Sequence, residues 1–447
     1  MDDTGPLNIL VFATDQHNAH ALGCYGNPDV QTPNLDRLAA EGIVFDNAIT
    51  PSGACRPAKM SMLTGLHART HGLFDQQEDT PDVAHSLAAL CRNAGYKTAF
   101  FGKNHMPEKI RKLGFDTVDS GPKPLEELPS QQDMVGRSPL PNEEHSAGVV
   151  AGDTISFIEE HADRPFCVFS SHFGPHQPIR PSEPWASQYD PAGISQPPNH
   201  QYAANRMPSP LDFATRKWAG IYPEPAITLA AYYGLISQID FNIGRVLDRL
   251  EELALIDRTV IVFLSDHGEL MGEHGTWTKE AIGYEAVIRV PFIWRLPGAE
   301  RGGERRAQLS NTIDMMPTLL DRLGLPPAPE VQGRSLLPVM RDPLHEGPAF
   351  EVSEVFGAHH GKFCSALRTE KWKYFRIVSA TDPTEEFLFD LENDPWEMRD
   401  LSTEADCRAS LDQCREQLDR WQRETGMCGR TRKRLVAAGL EDAELSS

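Results

Sequence analysis

A recurring alternation of helix and apolar strand constrains this chain more than any other feature. "NILVFATD" (8–15) is a short β-rich run that ends in an Asp, the pattern of a buried strand. "TPNLDRLAAEGIVFDNA" follows as a capped helix and a further strand. "SLAALCRNAGYKTAFFGKNH" repeats the unit, with Gly95 as the helix stop. "GDTISFIEEHADRPFCVFSSHFGPH" and "LAAYYGLISQIDFNIGRVLDRLEELALIDRTVIVFLSDHGE" repeat it again. Such a chain predicts an α/β fold, a mostly parallel sheet sandwiched by helices. Ligands of these sheets gather at the carboxyl ends of the strands. Here those ends carry Asp15, then Lys103 and His105, then His172 and His176, then Asp266 and His267. Four strand ends pointing the same way predict one site.

The chain has 447 residues, room for a large α/β enzyme with an appendage. The alternation fades near residue 345. "FCSALRTEKWKYFRIV" and "EEFLFDLENDPWEMRDL" read as strands joined by turns, followed by a charged helix over roughly 403–424 and a basic tail, "GRTRKRL". The expected division is a catalytic α/β domain over 1–345 and a small C-terminal α+β domain over 346–447. Residues 121–147 and the Pro-studded 175–226 are expected as irregular loops that line a pocket or make contacts.

The formal net charge of -21 excludes nucleic acid as the expected partner. No apolar run approaches the ~20 residues of a membrane span. The N-terminus "MDDTGPLNILVFATDQ" is acidic and lacks the cationic start of a signal peptide, which predicts a cytoplasmic protein. Cysteines 24, 55, 91, 167, 364, 407, 414 and 428 are scattered, as free thiols are in a long cytosolic chain.

Asp15 with Gln16, and Asp266 with His267, make a candidate divalent-metal set. Hard oxygen donors suit Ca²⁺, Mg²⁺ or Mn²⁺, and one imidazole is compatible with Mn²⁺ or Ca²⁺. Each pair taken singly is equally read as a helix cap or a turn. Lys103 and His105 in "GKNH", His176 in "PHQP" and Lys279 in "GTWTKE" would supply cations to an anionic group, although a lone Lys or His is commonly structural. His67 and His71 in "HARTHG" are weaker candidates. Cys55, in "SGACRPAKMSMLTG", is either a small buried apolar residue or an activated one. Arg56, Lys59 and the helix start that follows would stabilise a thiolate or another anion there.

"CRPAKMSMLTG" resembles the sulfatase signature, Cys-x-Pro-Ser/Ala-Arg followed by Leu-Thr-Gly. "NILVFATDQ", "GYKTAFFGKNH", "PHQP", "SDHGELMGEHGTWTKE", "DMMPTLLDRLG" and "LFDLENDPWEMRDL" follow that family's order along nearly the whole chain. The resemblance implies an alkaline-phosphatase-like fold and a sulfuric ester hydrolase. It implies that Cys55 is oxidised by a formylglycine-generating enzyme to formylglycine, whose hydrate attacks the ester. Asp15, Gln16, Asp266 and His267 would then hold one divalent cation, Ca²⁺ first, with Mn²⁺ or Mg²⁺ as alternatives. Lys103 and Lys279 would neutralise the non-bridging oxygens, His105 would assist deprotonation of the hydrate, and His176 would protonate the leaving oxygen. The substrate would be a small anionic ester, and a homo-oligomer is left open.

The chain departs from the pattern at Lys59, where the signature has Arg, and at Gln16, where many members have Asp. Asp15-Gln16 with Asp266-His267 resembles the branch that holds choline sulfatases and phosphonate monoester or phosphodiester hydrolases. Three readings therefore stand: a sulfatase, a phosphonate monoester/phosphodiester hydrolase, or a non-hydrolytic anion-binding member with unmodified Cys55. The alcohol part of the substrate would be set by the two irregular loops and the region around His359 and His360.

Overall fold

In a computed structural model, which describes residues 5–74, 81, 83, 85–104, 106, 110–121, 133–200, 206–218, 220–357 and 361–440, the apolar runs become strands paired across long sequence distances. The strands are β1 (Asn8–Asp15), β2 (Ile43–Ile49), β3 (Lys97–Gly102), β4 (Thr117–Asp119), β5 (Phe166–Pro175), β6 (Thr259–Ser265), β7 (Phe292–Arg295), β8 (Glu304–Asn311), β9 (Phe350–Gly357), β10 (Lys362–Thr369), β11 (Trp372–Ser379) and β12 (Glu385–Asp390). β1 to β8 form one sheet in the order β4-β3-β5-β1-β6-β7-β2-β8. Its pairs are parallel except those of β7, which runs antiparallel to β6 and β2. The expected sheet is present.

Alternation along β1 explains its burial on both faces. Ile9, Val11 and Ala13 enter one apolar layer with Met60, Met62 and Leu63 of the helix Cys55–Thr64. Leu10 and Phe12 enter the other, with Tyr232, Ile236, Ile239 and Ile243 of the long helix Pro225–Glu252. A one-residue slip would exchange the two sets, so packing pins the register. That register levels the strand ends. Thr14 pairs with Ser265, Asp15 with Pro175, and Gly102 with Ser171. The residues just beyond these pairs therefore share one rim.

The second sheet, β12-β11-β10-β9, is antiparallel. One face, with Ala366, Phe375, Phe387 and Phe389, packs on Ile49, Tyr284 and Val287. The other, with Leu367, Tyr374 and Leu388, is covered by Leu411, Cys414 and Leu418 of the helix Arg408–Thr425. The basic segment expected as a tail is instead a helix, Gly429–Ala437, anchored by buried Leu435 and by Cys428 N donating to Arg69 O at 2.9 Å. Residues 175–226 also hold more order than expected: the helix Ser209–Trp218 forms there, because Leu211 and Ala214 give it an apolar face to bury. All eight cysteines are free thiols. Among the described residues no helix is long and apolar enough to cross a membrane.

Candidate active site

Cys55 opens the helix Cys55–Thr64, and its N-cap, Ala54, offers no side-chain acceptor. The positive end of the helix therefore faces the Cys55 side chain without a competing cap. Lys59 lies four residues on, so the 3.6-residue period puts it on the same helix face as Cys55. Both are buried, Lys59 at 0% exposure.

That face meets the ends of β1 and β6. Lys59 Nζ donates to Asp15 Oδ2 at 2.6 Å and also to Asp266 Oδ2. Cys55 Sγ lies 3.1 Å from His267 Nε2 and 3.5 Å from Asp15 Oδ1. Lys103 Nζ, just past β3, pairs with Asp15 Oδ1 at 3.0 Å. Burial pushes the Asp15 carboxyl up, but Lys103 and then Lys59 outweigh it and hold it well below the ordinary value. Burial pulls Lys59 down, and Asp15 and Asp266 more than reverse that, keeping it an ammonium. Burial and Asp15 push the Cys55 thiol up, while Lys279, His267 and Lys103 together bring it to about 7.

Donor atoms of Asp15, Cys55, Asp266 and His267 all lie within 4.8 Å of one another and are buried. The His267 ring is oriented for ligation: Nδ1 faces Gly268 O at 2.9 Å, which leaves the Nε2 lone pair pointing into the cluster. Two carboxylates and an imidazole fit a divalent cation. Gln16 stands beside them in the left-handed region, φ 66, which costs a non-glycine residue energy. Two hydrogen bonds hold it there: its N–H donates to Asp266 Oδ1 at 3.1 Å, and its carbonyl accepts from Tyr232 Oη at 2.8 Å. Its amide donates to Gln177 Oε1 at 2.9 Å and to Glu269 Oε2, and accepts from Lys279 Nζ. A carbonyl oxygen has two lone pairs, so the Lys279 bond leaves one for a further partner.

His176 N–H donates to Asp15 O at 3.0 Å, and its Nδ1 faces Gln177 O at 2.5 Å, leaving Nε2 free to exchange a proton. Burial, Lys103 and Lys279 hold this imidazole neutral. A cavity of about 20 Å³ beside it is lined by Ser138 and His145 from one expected loop and by Pro178 and Arg180 from the other.

His105, His359 and His360 lie outside the described residues. His172 is buried in β5 with neither ring nitrogen hydrogen-bonded. His67 and His71 are not part of the cluster: His71 Nε2 meets Ser61 Oγ at 2.9 Å, and His67 packs edge-on against Trp421. Glu269 and Tyr232, which hold Gln16, were not among the expected residues. Glu269 closes the "SDHGE" stretch, the one signal that could have drawn it in.

The sulfatase family model matches residues 7–325. The chain belongs to the sulfatase family. A second model, of the C-terminal part of N-sulphoglucosamine sulphohydrolase, matches residues 272–424 of this sulfatase. It is 25% identical to an N-acetylglucosamine-6-O-sulfatase of Bacteroides thetaiotaomicron, over 91% of this chain and 84% of the relative. A structure solved in complex with its substrate D-glucosamine-2-N,6-O-disulfate shares the fold at TM-score 0.79 and 24% identity, over 94% of this chain and 98% of that one. The phosphonate monoester hydrolase of Agrobacterium radiobacter shares it at TM-score 0.78 and 22% identity, over 94% and 96%. The sulfatase is accordingly a hydrolase with the alkaline-phosphatase-like architecture expected from its sequence.

Proposed function

We propose that this sulfatase hydrolyses sulfate monoesters, with Cys55 as the precursor of a formylglycine nucleophile. The observation that carries the reading is the placement of Cys55 Sγ at a helix start, against Asp15 and His267 and among three ammonium groups. Asp15, Asp266, His267 and Gln16 would hold one divalent cation, Ca²⁺ first and Mn²⁺ as the alternative. When bound, the cation supplies Lewis-acid polarisation of an ester oxygen, and the matured Cys55 supplies the attacking oxygen.

The remaining residues act on charge and protons. Lys103 and Lys279 face the cluster and offset the charge of the ester's non-bridging oxygens, an interaction that strengthens where water is excluded. His176 is neutral at rest because two lysines and burial disfavour its proton. An arriving anion offsets those lysines, which lets Nε2 hold the proton that the leaving oxygen requires. Lys59 holds the outer oxygens of both aspartates, so their inner oxygens stay turned toward Cys55, Gln16 and His267. The relative named for N-acetylglucosamine 6-sulfate supports a sugar sulfate as substrate.

A phosphonate monoester is the second reading, favoured by the Gln16 and His267 pairing and by the phosphonate hydrolase among the fold neighbours. Rates on 4-nitrophenyl sulfate and on a phenyl phosphonate ester separate the two, and faster phosphonate turnover would overturn the sulfatase assignment. Mass spectrometry of the tryptic peptide ending at Lys59, from protein made with a formylglycine-generating enzyme, is expected to show the thiol replaced by an aldehyde. An intact Cys55 in a protein that still turns over substrate would refute the formylglycine route.

A further inference from the structure

Lys59 occupies the place where the two carboxylates of the metal cluster meet. Its Nζ takes Oδ2 of both Asp15 and Asp266, while Lys103 pairs with the other oxygen of Asp15 and Lys279 with the amide of Gln16. Glu269 accepts from the same amide. Among the described residues paired in this way, three carboxylates thus face three ammonium groups before any metal arrives. Gln16 adds no charge at the position where a carboxylate would, and the aldehyde expected at Cys55 adds none. Protonation of Glu269 would only make the interior more positive. A divalent cation entering alone would leave a buried surplus of positive charge, which is costly where the dielectric is low. Inorganic sulfate, with two negative charges, removes that surplus, and a sulfate ester, with one, halves it.

We propose that Lys59 and Gln16 couple the two ligands: the site binds its divalent cation weakly alone and tightly together with sulfate or a sulfate ester. Lys59 is the internal counter-ion that keeps the carboxylates in place while the metal is absent, a positioning residue acting through Asp15 and Asp266. Linkage makes the effect reciprocal, so the cation must tighten sulfate binding by the same factor. The inference rests on the proposed function for the identity of the anion.

The test is equilibrium dialysis of the full chain at fixed free Mn²⁺ or Ca²⁺, with bound metal counted by mass spectrometry, in chloride and then in inorganic sulfate at matched ionic strength. The expected result is a metal Kd about tenfold lower in sulfate, inside the usual range of coupling between sites. Equal Kd values in the two salts overturn the proposal. Gln16→Asp, which adds one negative charge, is expected to bind metal tightly in chloride and to lose most of the sulfate effect; parent-like metal binding would overturn the role given to Gln16. Lys59→Met is expected to bind metal tightly in chloride and to depend on it for thermal stability. If Lys59→Met fails to fold, the salt comparison and Gln16→Asp still decide. A protein that binds metal more tightly in sulfate yet hydrolyses no sulfate ester loses the sulfate-monoester reading and keeps this one. A protein that hydrolyses sulfate esters with one metal Kd in both salts does the reverse.

Discussion

Lys103 is buried, 3.0 Å from Asp15 Oδ1, and bends the titration of both Asp15 and Cys55. On the proposed function, a cation at that position would serve two ends: it would steady the Asp15 carboxylate at rest and face the ester oxygens during turnover. Lys103→Ala is therefore expected to lower kcat/KM by about 10²–10³-fold, the cost of removing one preorganised charge donor, while Lys59 still pairs Asp15 and the fold survives. Steady-state kinetics beside a thermal melt checks this; a melt that falls as steeply as the rate would mean a structural role alone. At this scale the four-residue spacing of Cys55 and Lys59 was legible, but the helix was expected to start after Cys55; because Cys55 itself opens it, the two share one face. Glu269 was not legible. Its contact with Gln16 spans 253 residues, and nothing local to either residue announces it.

Elements place these residues by ending at the right level. β1, β5 and β6 stop together because their registers are locked by apolar side chains on both faces, and Asp15, His176 and Asp266 emerge on one rim as a consequence. Away from that rim, β9 presents buried Glu351 to Asp314, with Arg334 bridging to Glu351 at 2.7 Å. Burial and then Asp314 push Glu351 up to about 7, and burial also raises Asp314. A carboxyl whose folded pKa is raised stabilises the fold fully below its unfolded pKa and loses that contribution as pH rises through the folded value. Stability is thus expected to fall as pH rises from about 4 to about 7, and Glu351→Gln is expected to flatten that fall. Melting temperatures of both proteins across this window test it, and parallel curves would remove the pair as the cause. Pattern reasoning named β10, β11 and β12 from their alternating residues. It could not see that Arg334 would lie between Glu351 and Asp314, which belong to two separate elements.

For the whole molecule, the C-terminal sheet shares its core with the larger one. Phe375, Phe387 and Phe389 bury Tyr284 and Val287, which follow the loop carrying Lys279. Arg69, in the short helix Ala68–His71 that follows the helix Cys55–Thr64, forms a bidentate pair with Glu354 of β9 at 2.8 and 2.9 Å. A chain cut after residue 345 would expose that apolar face and remove Glu354, Trp421 and the Gln422 carbonyl from around Arg69. Such a chain is expected to aggregate, and size-exclusion chromatography giving a monodisperse monomer would contradict this. The sequence by itself determined the helix–strand alternation, the polar strand ends and the cations that follow Cys55, because patterns of 2 and 3.6 residues and near neighbours in the chain are local properties. Only the tertiary structure decided that Lys59 would neutralise Asp15 and Asp266, 44 and 207 residues away, and that Gln16 would be held between Glu269 and Lys279. Those pairings come from strands stopping level in one sheet, and charge balance in a buried site depends on which groups meet there rather than on any stretch that carries them.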